Sequence, residues 1–557
     1  VIEKFAREEL QTFKFPELYV DHVSGRLPVS LNAPEFFGRT QKEQFERGPT
    51  PADEKPFWRE VLEYNARLGA SRVSLEGIEA LSTGKAVPVV TGQQPGLLGG
   101  PLYTLYKVLT CVSLSELLSR GEALRSEASG SGMPGTDASC SGARRVIPVF
   151  WNASDDSDFP EVSSATLFEK DLSLKKLSVV ASHHVRGNMV GTISTEALSG
   201  PIETLMHDFE KSPGLVFLMS CLEDGLSVAR DWGEFFSAFF LRLLSSSGLV
   251  VVDARLRSVA ECSRPIISAY LGNASSIEAR VSDCLKQLRE RGYSEPVSTR
   301  SGETCVFLRE GAARKKVPKE ELPAIADLWQ KGEIELLPNV LLGPVARDEL
   351  MGPVANVVGP SEASYYIVAR ALYDVLGLRQ RSIFPRLSLT VIPQVLTGLV
   401  SGNSNDFRQL VLNFEKVTQS YFEKHFPPDE ARELEISERE MRSAFERMAR
   451  LASASGKSTE EVAASAARKI NFELGRIREG FVAAHKRKLL AENPILRKAG
   501  EFLLPMGALQ ERSLCSIAPL VHGGESFISA LEELARTHVR ESIEGHVQHY
   551  VASVAIP

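Results

Sequence analysis

The sequence predicts an α/β fold, a doubly wound parallel sheet with a long helical appendage close to its C-terminus, and three observations predict it. Short β-branched runs recur, each ending in a Gly-rich or polar loop and followed by a helical pattern. The runs are apolar throughout rather than alternating, as in strands covered by helices on both faces. Near the C-terminus the apolar period changes to the 4, 3, 4 spacing of a helical seam.

The first run, VPVVT from Val87 to Thr91, leads into GQQPGLLGGP and a helical stretch from Leu102 to Leu118. The second, VIPVFW from Val146 to Trp151, opens onto the polar loop NASDDSDF. GLVVVD, Gly248 to Asp253, follows a stretch read as one amphipathic helix from about Glu223 to Leu244, and a further helix starts near Ser258. VANVV, Val354 to Val358, leads into GPSEASYY and a helix to Leu376, and IFPRL, Ile383 to Leu387, closes the set. Two stretches interrupt the alternation. In 164–220, LSLKKLSVV and GTIST suggest a small antiparallel insertion; in 275–335, a helix precedes a hairpin around TCVFLREGAARKKV. Each insert either walls a substrate cleft or decorates the surface. Gly121 to Ala143, rich in Gly, Ser and Ala, reads as a flexible loop without chemistry.

In the appendage, Met441, Phe445, Met448 and Ala452 form one seam, and Ile470, Leu474, Ile477, Phe481 and Ala484 another. Gly456 ends the first helix, and Ser458 with Glu461 is expected to box-cap the second. The expected product is an antiparallel coiled-coil hairpin from about Pro428 to Leu490. The domain organisation is then a mostly helical segment 1–84 packing on the core, a core 85–400 carrying both inserts, a helical coiled-coil domain 401–504, and a segment and helix 505–557 returning to the core.

Composition narrows the function. A chain of 557 residues with 43% hydrophobic and 24% charged residues is globular and too long for one core. A formal charge of −7 offers no electrostatic reason to bind nucleic acid or an anionic membrane. Seven scattered cysteines without a CxxC pair fit reduced thiols better than a disulfide framework or a zinc site. No apolar run reaches the ~18 residues of a membrane span, and VIEKFAREEL lacks the blocks of a signal peptide. The expectation is a cytoplasmic protein acting on small molecules.

Three motifs carry the candidate chemistry. TGQQPGLLGGP, Thr91 to Pro101, lies at a strand's carboxyl end, where open α/β sheets bind ligands, although its glycines do not match GxGxxG. Gln93 and Gln94 add amides that both donate and accept. Asp155, Asp156 and Asp158 follow the second strand; carboxylates this close repel unless they meet a metal, an ammonium group or basic side chains, or stand in a solvated loop. In GPSEASYY, Glu362 falls near a helix N-terminus. Other patterns fail. Gly456, Lys457 and Ser458 lack the strand and first glycine of a phosphate loop, and the pairs His183 with His184 and His546 with His549 lack a third ligand at metal spacing.

Taken together, GQQPGLLGGPLYTLYK, VIPVFWNASDDSDF, GLVVVDARL, LPNVLLGPVARDELMGPVANVVGPSEASYY, IFPRLS and LLPMGALQERSL resemble the bacillithiol biosynthesis cysteine-adding enzyme family (BshC), in the family's order from about residue 85 to 530. The resemblance implies a nucleotidyltransferase-like Rossmann core, a coiled-coil domain supporting a homodimer, and ligation of cysteine to glucosaminyl malate. It carries the family's loop onto Gly92, Gln93, Gln94, Gly100 and Tyr103, with Lys107 one turn on, and its later segment onto Gly359, Pro360, Glu362 and Tyr365. Trp151, Asn339, Asp348 and Arg386, from the matching segments, complete the implied substrate site. Asp155, Asp156, Asp158 and Lys107 are the implied catalytic groups.

In these roles Gln93 and Gln94 orient a polar substrate, Tyr103 and Lys107 hold a carboxylate or phosphate, and Asp155 and Asp158 bind an amino group or a metal, one of them accepting the amine proton. The sequence departs from the family's Glu-Asp-His-Asp-Phe at Asp155 and Ser157, and from its Arg-Pro-x-x-Gln-Asp at Gly343 and Arg347. ATP is the expected source of carboxyl activation, yet the His-x-Gly-His of many adenylate-forming enzymes is absent from GLLGGP, and the need for a divalent metal stays open. A scaffold that has lost the chemistry and an amide ligase for another amino sugar are the rival readings.

Overall fold

The computed structural model describes residues 2–47, 57–120, 145–180, 187–297, 303–397, 409–424 and 427–553. The loop expected from Gly121 to Ala143, and His183 and His184, lie outside them. The chain divides into two compact units, one of Val1–Glu169, Leu174–Gln394 and Pro505–Pro557, the other of Lys170–Ser173 and Val395–Leu504.

Five strands organise the first unit: β1 (Ala86–Gln93), β2 (Arg145–Asn152), β3 (Val250–Asp253), β4 (Ala355–Val358) and β5 (Ser382–Pro385). They pair in parallel in the order β5-β4-β1-β2-β3. Val89, Val90, Val149, Phe150, Val251 and Val357 are buried, so both faces of the sheet need covering, which crossover helices supply. The chain runs from β1 out to β3 and returns to the other side of β1 for β4 and β5. β1 and β4 therefore flank the point where the strand order reverses, and there the loops part to leave a crevice beyond the strand ends. The helix Leu102–Ser119 that follows β1 is buried almost all round, as an apolar helix in the middle of a unit must be.

Several expectations are corrected. The stretch from Glu223 to Leu244 is two helices, Leu215–Val228 and Trp232–Leu243. Asp231 caps the second by accepting from the Glu234 N–H at 2.9 Å, and Arg255 pairs with the same carboxylate at 2.8 Å, which favours a break there over a continuous helix. In the first insert Ser164–Phe168 and Leu174–Ser178 form the antiparallel hairpin, whereas GTIST lies in short 3-10 turns, Val190–Thr192 and Thr195–Leu198. The N-terminal segment holds a strand besides its helices: Ile2–Ala6 pairs antiparallel with Gln548–Ser553, itself parallel to Leu389–Ile392. A partner at the opposite end of the chain leaves no trace in local periodicity. In the second insert Glu303–Glu310 pairs antiparallel with both Ala313–Pro318 and Glu335–Pro338, and the sheet packs with the long helix Arg257–Glu290 in one apolar cluster.

The second unit is dominated by the helices Pro428–Ser453 and Lys457–Glu492. Arg442 reaches Asn471 at 2.8 Å and Arg478 faces Glu435 at 3.7 Å, an antiparallel hairpin. The turn is at Gly456, φ 133°, and the second helix starts at Lys457, so Ser458 is its second residue rather than its cap. The expected seam closes in part. Leu474 is buried and Phe445, Ala452, Ile470 and Phe481 are half-buried, but Met441, Met448, Ile477 and Ala484 are exposed. No helix among the described residues is long and apolar enough to cross a membrane.

Candidate active site

At the crevice, β1 is stitched to β4 by the Thr91 hydroxyl, which donates to the Val357 carbonyl at 2.9 Å. Just beyond, Lys107 extends from the following helix back to the strand end. Its ammonium donates to the Gly92 carbonyl at 2.8 Å and to Gln93 Oε1 at 3.0 Å, and pairs with Glu362 at 2.5 Å. Glu362 is placed by its helix: in the first turn of Pro360–Leu376 it accepts the Gly359 N–H at 2.9 Å. Tyr365 donates to the same carboxylate at 3.3 Å. Burial lowers the Lys107 pKa, and the Glu362 carboxylate opposes that shift. Gln93 donates to Gln94 and to the Tyr103 hydroxyl, each at 3.3 Å.

The acidic loop after β2 is resolved into three different carboxylates. Asp156 accepts from Gln94 and pairs with Arg314, which arrives from the second insert and donates through Nε to Ser157 Oγ at 3.0 Å. Asp155 faces the cavity and forms no ion pair among the described residues. Burial pushes its pKa up to about 6, with Arg314 pulling down and Asp156 pushing up. Asp158 is exposed and caps the short helix Phe159–Val162 through the Glu161 N–H, 3.4 Å away.

A cavity of about 880 Å³ gathers Gly92, Gln93, Gln94, Tyr103, Lys107, Trp151, Asp155, Asp156, Asn339, Gly359, Pro360, Glu362, Tyr365 and Arg386, a volume typical of small-molecule sites. It continues under the second insert, where Ile277, Val281, Val306 and Val317 line it. That insert walls the cavity, and no described residue of 164–220 does. Arg386 is buried, pairs with Glu511 at 2.6 Å and lies 5.2 Å from the Tyr103 ring centroid. Glu511 also accepts from Ser388 Oγ at 2.8 Å and the Leu389 N–H at 3.1 Å. Asn339, while lining the cavity, uses its carbonyl on the N–H groups of Leu341 and Leu342, at 2.9 and 3.1 Å, at the start of the helix Leu342–Met351.

Three expected site residues lie elsewhere. Asp158 is directed to solvent by its capping role. Gly100, φ 68°, faces the C-terminal segment: its carbonyl accepts the Ser516 N–H at 2.7 Å, and a Cβ on Gly96 would stand 2.5 Å from its Cα, so these glycines serve close packing rather than ligand approach. Asp348 is buried behind the cavity wall, bonded to Asn356 at 2.8 Å and Tyr373 at 2.7 Å. Burial raises its pKa against those hydrogen bonds. Conversely Glu161, Arg314 and Arg512, which no motif marks as site residues, line the cavity, and so does Arg347, one of the positions where the sequence departs from the family pattern. Arg512 and Glu511 sit in the LLPMGALQERSL segment, a usable signal; Arg314 in ARKKV reads as a solvated strand charge. His549 packs between Ser388 and Thr390 at 2.8 and 3.0 Å.

Family models match both parts of the chain: the N-terminal Rossmann-like domain of bacillithiol biosynthesis BshC over residues 30–123 and 137–387, and the C-terminal coiled-coil domain of BshC over 389–541. Relatives named "Putative cysteine ligase BshC" include one from Koribacter versatilis, 27% identical over 492 residues that cover 85% of this chain and 86% of that protein. Another, from Geobacillus kaustophilus, is 25% identical over 541 residues, covering 89% of this chain and 91% of its own. One from Heliobacterium modesticaldum is 26% identical, with 84% of each chain covered.

Proposed function

Because the chain belongs to the BshC family of bacillithiol biosynthesis, we propose that it is a ligase joining the carboxyl group of L-cysteine to the amine of glucosaminyl malate, the amide-forming last step of bacillithiol biosynthesis. The observation that carries the reading is Asp155, a carboxylate without an ion-pair partner among the described residues and with a pKa near 6, lining a cavity of about 880 Å³ together with Lys107, Tyr103 and Arg386. An attacking amine must shed a proton, and a carboxylate ionised just below neutral pH is suited to take it. Asp156 is neutralised by Arg314 and helps hold Gln94, leaving the proton to Asp155. The amides of Gln93 and Gln94 orient hydroxyl and amide groups of the sugar.

A carboxylate is a poor electrophile, and ATP would supply its activation. Lys107 and Arg512 line the crevice beside the N-terminus of the Pro360–Leu376 helix, a setting that suits phosphate. The exposed apolar residues of the hairpin arm support a homodimer formed through it. Deleting the gene is expected to make glucosaminyl malate accumulate and bacillithiol vanish from thiol-labelled extracts. Normal bacillithiol in a deletion strain without a second ligase gene would overturn the reading, and accumulation of a different amino sugar would move it to that amine.

A further inference from the structure

We infer that Arg347 is an anion-binding residue of the crevice, there to take a carboxylate or phosphate oxygen of a substrate. It lies on the helix Leu342–Met351 and lines the cavity, its Nη1 only 3.2 Å from where a Cβ on Gly92 would stand. A side chain at position 92 would displace the guanidinium, so the bare backbone of β1 is what lets it reach the strand end.

Its own bonding is incomplete. Nη2 donates to the Tyr366 hydroxyl, and the buried Nε–H has no acceptor. No carboxylate pairs with Arg347 among the described residues, whereas Arg255 pairs with Asp231 and Asp253, Arg314 with Asp156, and Arg386 with Glu511. The adjacent carboxylate, Asp348, is turned away to Asn356 and Tyr373. Within the same wall Glu362 is taken up by Lys107 and Glu511 by Arg386, so neither forms an ion pair with Arg347. Asp348 and Glu362 favour its charged form without pairing with it; a buried guanidinium with no direct ion pair is costly, and a ligand anion reduces that cost.

Space is available for the carrier of the charge. Gly343, four residues earlier and so on the same helix face, lines the cavity, and a Cβ there would meet nothing within 4 Å. The planar donors of a guanidinium suit the paired oxygens of a carboxylate or phosphate. The inference rests on the reading of this crevice as the substrate site but not on the reaction carried out there.

Calorimetric titration of the full chain with L-malate and, separately, with pyrophosphate tests it on the unmutated protein, Arg347→Gln and Arg347→Lys. The unmutated chain is expected to bind at least one probe. Arg347→Gln should weaken that binding roughly ten-fold or more, the size of a lost charge-assisted hydrogen bond, and Arg347→Lys by less. Loss of malate identifies a carboxylate as the natural group, and loss of pyrophosphate identifies a phosphate. Binding of neither probe, or equal binding by all three proteins, overturns the inference. Ligase turnover with unaltered probe binding in both variants removes the anion site and leaves the ligase reading; Arg347-dependent binding in a protein with no ligase turnover does the reverse.

Discussion

The crevice of the first unit and the helical hairpin of the second satisfy their side chains in opposite ways. Around the crevice, charges are buried and matched by residues distant in sequence, Lys107 with Glu362 and Arg386 with Glu511. In the hairpin the apolar residues are the unsatisfied ones: Met448 and Phe472 are each 65% exposed and Ile477 57%, while Ala463, Leu474 and Leu489 are buried. Its ion pairs, such as Arg478 with Glu438 at 3.7 Å, are surface pairs worth ~1 kcal/mol or less. The first unit pairs these buried charges within one chain. The hairpin carries exposed apolar residues that the described chain does not cover, and single helices draw most of their stability from burying an apolar face.

The largest expected effect breaks that contrast at its buried end. Glu511→Ala leaves Arg386 uncompensated and should cost about 3–5 kcal/mol in the unfolding of the first unit. All four tryptophans, Trp58, Trp151, Trp232 and Trp329, lie in that unit, so their fluorescence in urea reads it selectively. A loss below ~1 kcal/mol would mean that the pair contributes no more than a surface contact.

The hairpin should respond in assembly rather than in stability. Met448→Glu with Ile477→Glu alters exposed positions and should change stability by only about 0.5 kcal/mol each, yet convert a dimer to monomer in sedimentation. A monomeric unmutated protein, or an unchanged sedimentation coefficient in the variant, would show that these residues do not form an interface.

Acid should also separate the units. Burial lowers His22, His538 and His549 to about 4, so the fold favours their neutral forms. The resulting stability is complete above the ordinary value near 6.5 and is lost as pH falls through about 4. Tryptophan-monitored melting temperature should drop across that window, and a flat profile would assign acid sensitivity to other groups. The smallest effect is expected at Asp158→Asn. Asparagine caps a helix as well as aspartate, so stability should hold within ~0.5 kcal/mol and turnover within about two-fold.

What the sequence made legible follows the same division. The five core strands were readable because strands buried on both faces must be apolar throughout, and the crevice followed from where they end. Strand Ile2–Ala6 was not, since its partner is Gln548–Ser553 and its own pattern carries no hint of that. The acidic triplet was visible as a cluster, but which carboxylate faces the cavity depends on Arg314 arriving from another insert and on Asp158 starting a helix turn. Gly100 and Asp348 look like ligands within their motifs, yet the fold spends one on backbone packing and the other on Asn356 and Tyr373. The hairpin's seam was legible as periodicity, which records that residues share a stripe and not which partner covers it.

The catalytic claim rests on Asp155, and turnover of cysteine with glucosaminyl malate by Asp155→Asn and the unmutated protein, from about pH 5 to about pH 8, tests it most directly. The unmutated enzyme should gain activity as pH rises through about 6, where Asp155 ionises. The variant should lose that limb and about 100-fold in turnover. At neutral pH it should also melt higher, because the folded chain holds Asp155 ionised against a raised pKa; that gain vanishes below the ordinary carboxylate value near 3.8. Full turnover in the variant, with the acid limb intact, would contradict the assignment of the catalytic base to Asp155.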